Sequence, residues 1–294
     1  KSGFDVAMPA QVRESFLALI RDDHRSFFKT ISSVETRKCE AGQPQDKENI
    51  ARVIAGAGGF GEIDQMVIER LKEWFVRVLE DQVKTSDIVE RAAYRHSLGA
   101  MCREDGKYDD AEEQLKLALE ERKATLGEDH PDTLWTKAWL GQAYSFMWKQ
   151  KESVAILVEC LQKQKEVLGE DHEHTIFTAC ELGANYGVYL NRFDEGEEML
   201  EDCLERAKRV LGEEHAQTLI IMNNLALTYA TSGKADEAKE LYLECIERCK
   251  EKLGEGHPET LMTMFNLGLF YKAQRAYKEA EAIYYECFQR AYKE

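Results

Sequence analysis

One nine-residue phrase returns four times and restricts the fold more than any other feature. "LGEDHPDTL" begins at Leu126, "LGEDHEHTI" at Leu168, "LGEEHAQTL" at Leu211 and "LGEGHPETL" at Leu253, in steps of 42, 43 and 42 residues. The residues between keep the same register. A small residue follows a leucine at Leu98-Gly99, Leu140-Gly141, Leu182-Gly183, Leu225-Ala226 and Leu267-Gly268. Three further on stand Cys102, Tyr144, Tyr186, Tyr229 and Tyr271. A second small residue falls at Ala111, Ser153, Gly196, Ala238 and Ala280. Leu115, Leu157, Leu200, Tyr242 or Tyr284 comes next, then Ala118, Cys160, Cys203, Cys245 or Cys287. The third unit's extra residue is placed in its turn, near Leu190 to Phe193.

Each unit holds two stretches with apolar residues at helical spacing, such as Thr218 to Thr231 (Leu219, Met222, Leu225, Ala226, Tyr229) and Ala235 to Leu253. Glycine-containing turns such as "TSGKAD" join them. The recurring phrase reads as a stop and a start. Gly127 can end one helix in the left-handed conformation, Asp129 or His130 can cap the next, and Pro131 suits its first turn. No unit can bury its apolar face alone, so the pairs must stack. The expectation is an all-α solenoid: five repeats at about 85–127, 128–169, 170–212, 213–254 and 255–294. Residues 1–84 form a helical N-terminal region and cap.

These positions together resemble the tetratricopeptide repeat in its long form, as in kinesin light chains and nephrocystin-like proteins. The resemblance covers Thr85 to Glu294. It implies a right-handed superhelix whose first helices line a binding groove, with no catalysis. The usual repeat is about 34 residues; the longer period adds about two helical turns per pair. In this family the residues three and six before the small position commonly face the groove. That places His96, Ala138, Cys180, Asn223 and Phe265 in one row, and Trp135, Phe177, Ile220 and Met262 in another. Asn223-Asn224 matches the family's paired asparagine, and Phe265-Asn266 keeps one of the two. The candidate groove residues are therefore Trp135, Phe177, Asn223, Asn224, Phe265, Asn266 and His96. Amides can grip an extended peptide and aromatics can form its pockets; Trp135 and Phe177 could equally pack between helices. Residues 1–84 carry no sustained heptads, so the resemblance extends to the repeat and its binding mode, not to motor attachment.

Glycines set a competing signal. "RVIAGAGGFGEIDQMVIERL" places Gly56, Gly58 and Gly61 as G-x-G-x-x-G between a possible strand, Arg52 to Ala55, and a helix. A dinucleotide fold needs a second parallel strand soon after, with an acid about 20 residues on. Glu80 and Asp81 stand at that distance within helical sequence, and a repeat helix follows from Asp87 to Cys102. The residues before the glycines read as helix, with Val12, Phe16, Leu17, Leu19 and Ile20 on one face. A nucleotide role through Gly56–Gly61 is the remote alternative. The glycines read as a bend before an amphipathic helix, Ile63 to Val83. Its stripe is Ile63, Met66, Val67, Leu71, Trp74, Phe75, Val78 and Leu79, and it covers the first repeat.

Apparent metal ligands dissolve into the period. His130, His172, His215 and His257 occupy one repeat position, so whole repeats separate them. Four of the eight cysteines share another. Both rows read as capping and packing. No Ser/His/Asp or Cys/His set stands out, and Glu112-Glu113 and Glu197-Glu198 read as a solvated face. No cofactor or metal is expected, and no catalytic residue.

A net charge of −16 opposes binding to a nucleic-acid backbone. It suits a basic peptide or protein partner, and also simple solubility. No apolar run approaches the roughly 18 residues of a membrane span. Eight scattered cysteines point to a reducing, intracellular compartment: the cytoplasm, or an organelle reached by import. Lys1 rather than Met opens the sequence, as in a processed or partial product. "AYKE" closes it with no further marker loop, so Phe270, Tyr277 and Tyr284 need cover, either from a continuing chain or at an interface. The reading is a non-catalytic scaffold or adaptor that binds a peptide or protein in its groove. The alternative is a structural subunit that holds an assembly by its ends.

Overall fold

Each return of the phrase closes one helix and opens the next. Gly127, Gly169, Gly212 and Gly254 take φ values of 95°, 86°, 99° and 102°, a region that side chains oppose. Three residues later a histidine, not the aspartate, is the cap. The Nδ1 atoms of His130, His172, His215 and His257 accept the N–H of the residue two ahead at 3.2, 3.1, 3.3 and 3.2 Å. That bond requires a neutral ring with its proton on Nε2. Pro131 and Pro258 open their helices, where no N–H is needed.

The structure, a computed structural model, describes Leu17 and residues 60–292. Among the described residues there are eleven α-helices and no strand. The described residues divide into two compact units, one ending at Leu126 and one beginning at Gly127. The Val12–Ile20 face (Leu17 apart), the Arg52–Ala55 strand, Gly56 and Gly58 lie outside the described residues. Gly61 lies in the first turn of α1, and a helix rather than a strand follows α1.

The first unit holds α1 (Phe60–Thr85), α2 (Ile88–Glu104) and α3 (Tyr108–Leu126). Asp87 caps α2 by accepting from Val89 and Glu90 N–H. α1 lays Trp74, Phe75 and Leu79 against Tyr94, Leu98, Met101 and Ala111. Met66, at the start of the expected stripe, is exposed.

The second unit holds α4 (Pro131–Phe146), α5 (Gln150–Val167), α6 (Glu173–Ala184), α7 (Phe193–Val210), α8 (Ala216–Ser232), α9 (Ala235–Lys252), α10 (Pro258–Ala273) and α11 (Tyr277–Tyr292). They form four hairpins in register. In each glycine-bearing pair the small residue of the first helix faces the bulky residue of the second. A Cβ on Gly141 would stand 2.7 Å from Leu157 Cγ, and one on Gly268 2.5 Å from Tyr284 Cε1. The cysteine row has its own reason. The thiols of Cys160, Cys203, Cys245 and Cys287 donate to the carbonyls of Leu134, Ile176, Leu219 and Leu261 at 3.1, 3.9, 3.3 and 3.8 Å. The thiol therefore ties the second helix to the first turns of its partner.

The third unit's extra residue is not in the turn. The left-handed turn residues Trp148, Asn191, Gly233 and Arg275 close equivalent bends. The insertion is absorbed one turn earlier, where Asn185–Tyr189 form a π-helical turn at the end of α6. Leu190 N–H bonds to Asn185 O at 3.1 Å, five residues back, as one added residue requires. Glu197 also departs from expectation. It is 6% exposed, accepts from Ser232 Oγ at 2.6 Å and pairs with Lys234.

Two measurements check this description. His215→Ala should lower unfolding free energy by about 1 kcal/mol, and His215→Asn should restore it, because asparagine is an equal or better cap. Thermal or urea melts read both. Burial raises the Cys160 and Cys203 thiols to about 12, so they stay protonated near neutral pH and react slowly. Alkylation of native protein at pH 8, followed by peptide mass mapping, should label half-buried Cys287 well before either.

Candidate functional site

The first helices of the second unit, α4, α6, α8 and α10, carry most of the groove candidates. Trp135 on α4 is half-buried. It stacks on His174 at 3.9 Å and meets Phe177 edge-on at 4.9 Å. Trp139 completes the cluster, 5.8 Å from Trp135 and 6.0 Å from Phe177. Phe177 is only 3% exposed, so it fills space between helices and can shape a pocket only through Trp135. His96 lies in the first unit on α2 and is 4% exposed.

The asparagines form a second group. Asn223 is buried and Asn224 half-buried on α8; Asn266 is half-buried on α10. Asn266 Nδ2 donates to Asn223 Oδ1 at 3.1 Å, and Asn224 Nδ2 donates to Cys180 Sγ at 3.4 Å. Each amide group is thereby oriented by a neighbouring helix. Among the described residues no donor bonds to Asn224 Oδ1 or Asn266 Oδ1. Phe265 is 51% exposed and tilts toward Tyr284, ring centres 5.5 Å apart. The structure thus joins Trp135 with Phe177, and Asn223 with Asn266, and sets Phe265 apart.

Sequence reasoning missed a polar cluster between α4 and α6. Gln142 Nε2 donates to Glu181 Oε1 at 2.8 Å, and both residues are under a tenth exposed. Asn185, from the π-turn, donates to Ser145 Oγ and to Glu181 O, each at 2.8 Å. Ser145 and Ser153 hydroxyls meet at 2.8 Å, and Ser153 reaches Gly141 O at 2.8 Å. Flipping either amide would face oxygen to oxygen, so the network fixes both orientations. One signal was available. Glu181 falls two residues before its unit's small position, where Asn224 and Asn266 stand in theirs.

Down the three helices this row reads Glu181, Asn224, Asn266. On one side lie half-buried Ile220 and exposed Met262; on the other lie half-buried Ala184 and Leu227 and exposed Leu269. A polar spine between apolar rows offers acceptors to a ligand backbone and apolar ground to its side chains. Among the described residues no group of three or more His, Cys, Asp or Glu could hold a metal ion. No described helix is long and apolar enough to cross a membrane.

The fold is one that known proteins share. The chain resembles the structure of a putative kinesin light chain from Podosopora anserina with nearly identical TPR-like repeats. Identity is 24%, covering 70% of this chain and 97% of that one, with a TM-score of 0.53. A Rap protein complexed with competence and sporulation factor gives 11% identity, 94% and 76% coverage, and a TM-score of 0.65. NprR in complex with its cognate peptide NprX gives 15% identity, 96% and 80% coverage, and a TM-score of 0.60. At these identities the likeness is one of fold. No curated protein matches the chain by sequence. The family model for the tetratricopeptide repeat matches residues 90–159, 187–251 and 221–293. With more than half of its length so matched and its helix pairs stacked in register, the chain belongs to the tetratricopeptide repeat family.

Proposed function

We propose that this protein is a non-catalytic scaffold that binds an extended, basic peptide segment along the first-helix face of residues 127–292. The observation that carries the reading is the spine of Glu181, Asn224 and Asn266. Asn224 and Asn266 are amides held in place from behind, and their oxygens accept from no described donor; Glu181, bonded to Gln142, adds a mostly buried carboxylate at one end of the row. A row of acceptors matches backbone N–H groups, and a carboxylate at one end matches lysine or arginine. The net charge of −16 favours the same partner at long range. The Rap structure is complexed with competence and sporulation factor and the NprR structure with its cognate peptide, which supports peptide binding on this fold. Free, buried cysteines suit a reducing compartment.

A second role has its own observation. Large apolar side chains are exposed on α10 and α11, which favours a contact surface at the C-terminal end, as in a subunit of an assembly.

Peptide-display selection on the intact chain tests the first reading. Selected ligands should be rich in Lys and Arg, and added salt should weaken them. Asn224→Ala with Asn266→Ala should reduce their affinity at least tenfold, and Glu181→Gln should relax the preference for basic residues. Equal affinities for the intact chain and the double variant would rule the spine out.

A further inference from the structure

A repeat gives every position counterparts, so a gap in one unit can be compared with its filling in the others. Seven residues after each cap histidine stand Lys137, Ala179, Met222 and Met264. Both methionines are fully buried, Met222 in the cluster of Leu200, Cys203 and Leu204, Met264 in that of Tyr242 and Ile246. Ala179 brings no such side chain to its own pair. There a cavity of about 440 Å³ opens among α5, α6 and α7, with Leu161, Ile176, Ala179 and Met199 as its apolar lining. Ala179 stands two residues before Glu181, about 200° away around α6, so the two face opposite sides of that helix.

Most charged groups around this cavity are already paired. Lys165 meets Glu170 at 3.2 Å, and Arg206 meets Glu170 and Asp202 at 2.8 Å each. Glu195 accepts from Arg192. Two lining groups are different. Glu198 is exposed, and among the described residues no hydrogen bond or ion pair reaches it. Thr175 is 1% exposed, and its hydroxyl has no partner among the described residues. Its counterparts Thr218 and Thr260 donate to Gly212 O and Gly254 O at 2.7 and 2.8 Å. Thr133 and Thr175 lack that bond, and Thr175 lines the cavity. A carboxylate and a hydroxyl can both accept from an N–H donor.

We propose that this cavity binds a small organic amine, an apolar ring-bearing body with one protonated nitrogen. Small-molecule sites enclose about 300–1,000 Å³ and are mostly apolar, with a few polar groups that fix orientation. The apolar body would take the place that Met222 and Met264 fill in their own pairs. Glu198 supplies the countercharge, and Thr175 a second acceptor. An unfilled space between helices costs stability, and a ligand that fills it returns stability on binding. The proposal is independent of the peptide spine.

The probe is tryptamine, titrated by calorimetry into the intact 294-residue chain. Saturable one-to-one binding is expected, with a raised melting temperature at saturation. Ala179→Met should abolish it. That variant copies the residue of the two following units, and its melting temperature should equal or exceed that of the unaltered chain. It also leaves the net charge unchanged, so general attraction to an acidic surface cannot explain the loss. Glu198→Gln should weaken tryptamine about fivefold and leave tryptophol, the neutral alcohol, unchanged. Indolepropionate, of opposite charge, should bind more weakly than either. The Asn224→Ala/Asn266→Ala chain should bind tryptamine normally, which separates this cavity from the spine. Absence of saturable binding overturns the proposal, as does binding that Ala179→Met leaves intact. Equal affinities for tryptamine and indolepropionate overturn it too, because the carboxylate would then select nothing.

Discussion

The smallness of one residue in each first helix, glycine everywhere except Ala226 of α8, is the constraint on which the rest depends. Gly141 and Gly268 sit so close to Leu157 and Tyr284 that an added Cβ would overlap them. Overfilling such a contact costs about 1–3 kcal/mol, so the small residue fixes how deeply the second helix's bulky residue enters. That depth fixes the rotation of both helices, and rotation decides which rows turn toward the next pair and which toward the open first-helix face. Glu181, Asn224 and Asn266 align because their helices share this packing. The spine is a product of register, with no long-range device aligning it.

The residues that look chemically active are largely occupied by this same scaffolding. Each marker histidine uses its acceptor nitrogen on the backbone at a helix start. Each cysteine of the repeated row gives its proton to a carbonyl of the partner helix. A side chain already closing an orphan backbone group is poorly placed for metal or nucleophilic work. Polar groups on the first-helix face differ. Asn224 and Asn266 are held through their N–H groups, and among the described residues no donor bonds to their oxygens, which is what the proposed recognition needs.

The period made the units, the helices and the glycine-ended loops legible before any coordinate. Recurrence reports which positions are equivalent, and equivalent positions share a backbone environment. It says less about side chains that act singly. Asp129 and His130 were both able to cap, and only geometry separates them. Glu197 looked solvated beside Glu198, yet the turn after α8 brings Ser232 and Lys234 onto it. Gln142 and Glu181 are 39 residues apart, and no local pattern joins them. Phe177 shared a row with Trp135, but Trp135, Trp139 and the cluster of Leu134, Ala138 and Cys160 take it out of solvent.

The third unit shows how a fold keeps its register against an insertion. A residue added to a helix rotates everything beyond it by about 100°, which would turn the chain after Tyr186 away from its partners. Here the π-turn confines the change to Asn185–Tyr189, and Arg192 still lies over the Tyr186 ring at 3.9 Å. The wider turn crowds its surroundings. A Cβ on Gly187 would be 2.3 Å from Thr228 Cγ2, and one on Gly196 would be 2.6 Å from Gly187 N. Glycine at both positions is therefore a consequence of the insertion, since neither contact leaves room for a methyl group. The same turn delivers Asn185 to Ser145 and to the Glu181 carbonyl. The insertion thus ties down the backbone at Glu181, at the unit where the asparagine of its neighbours is replaced.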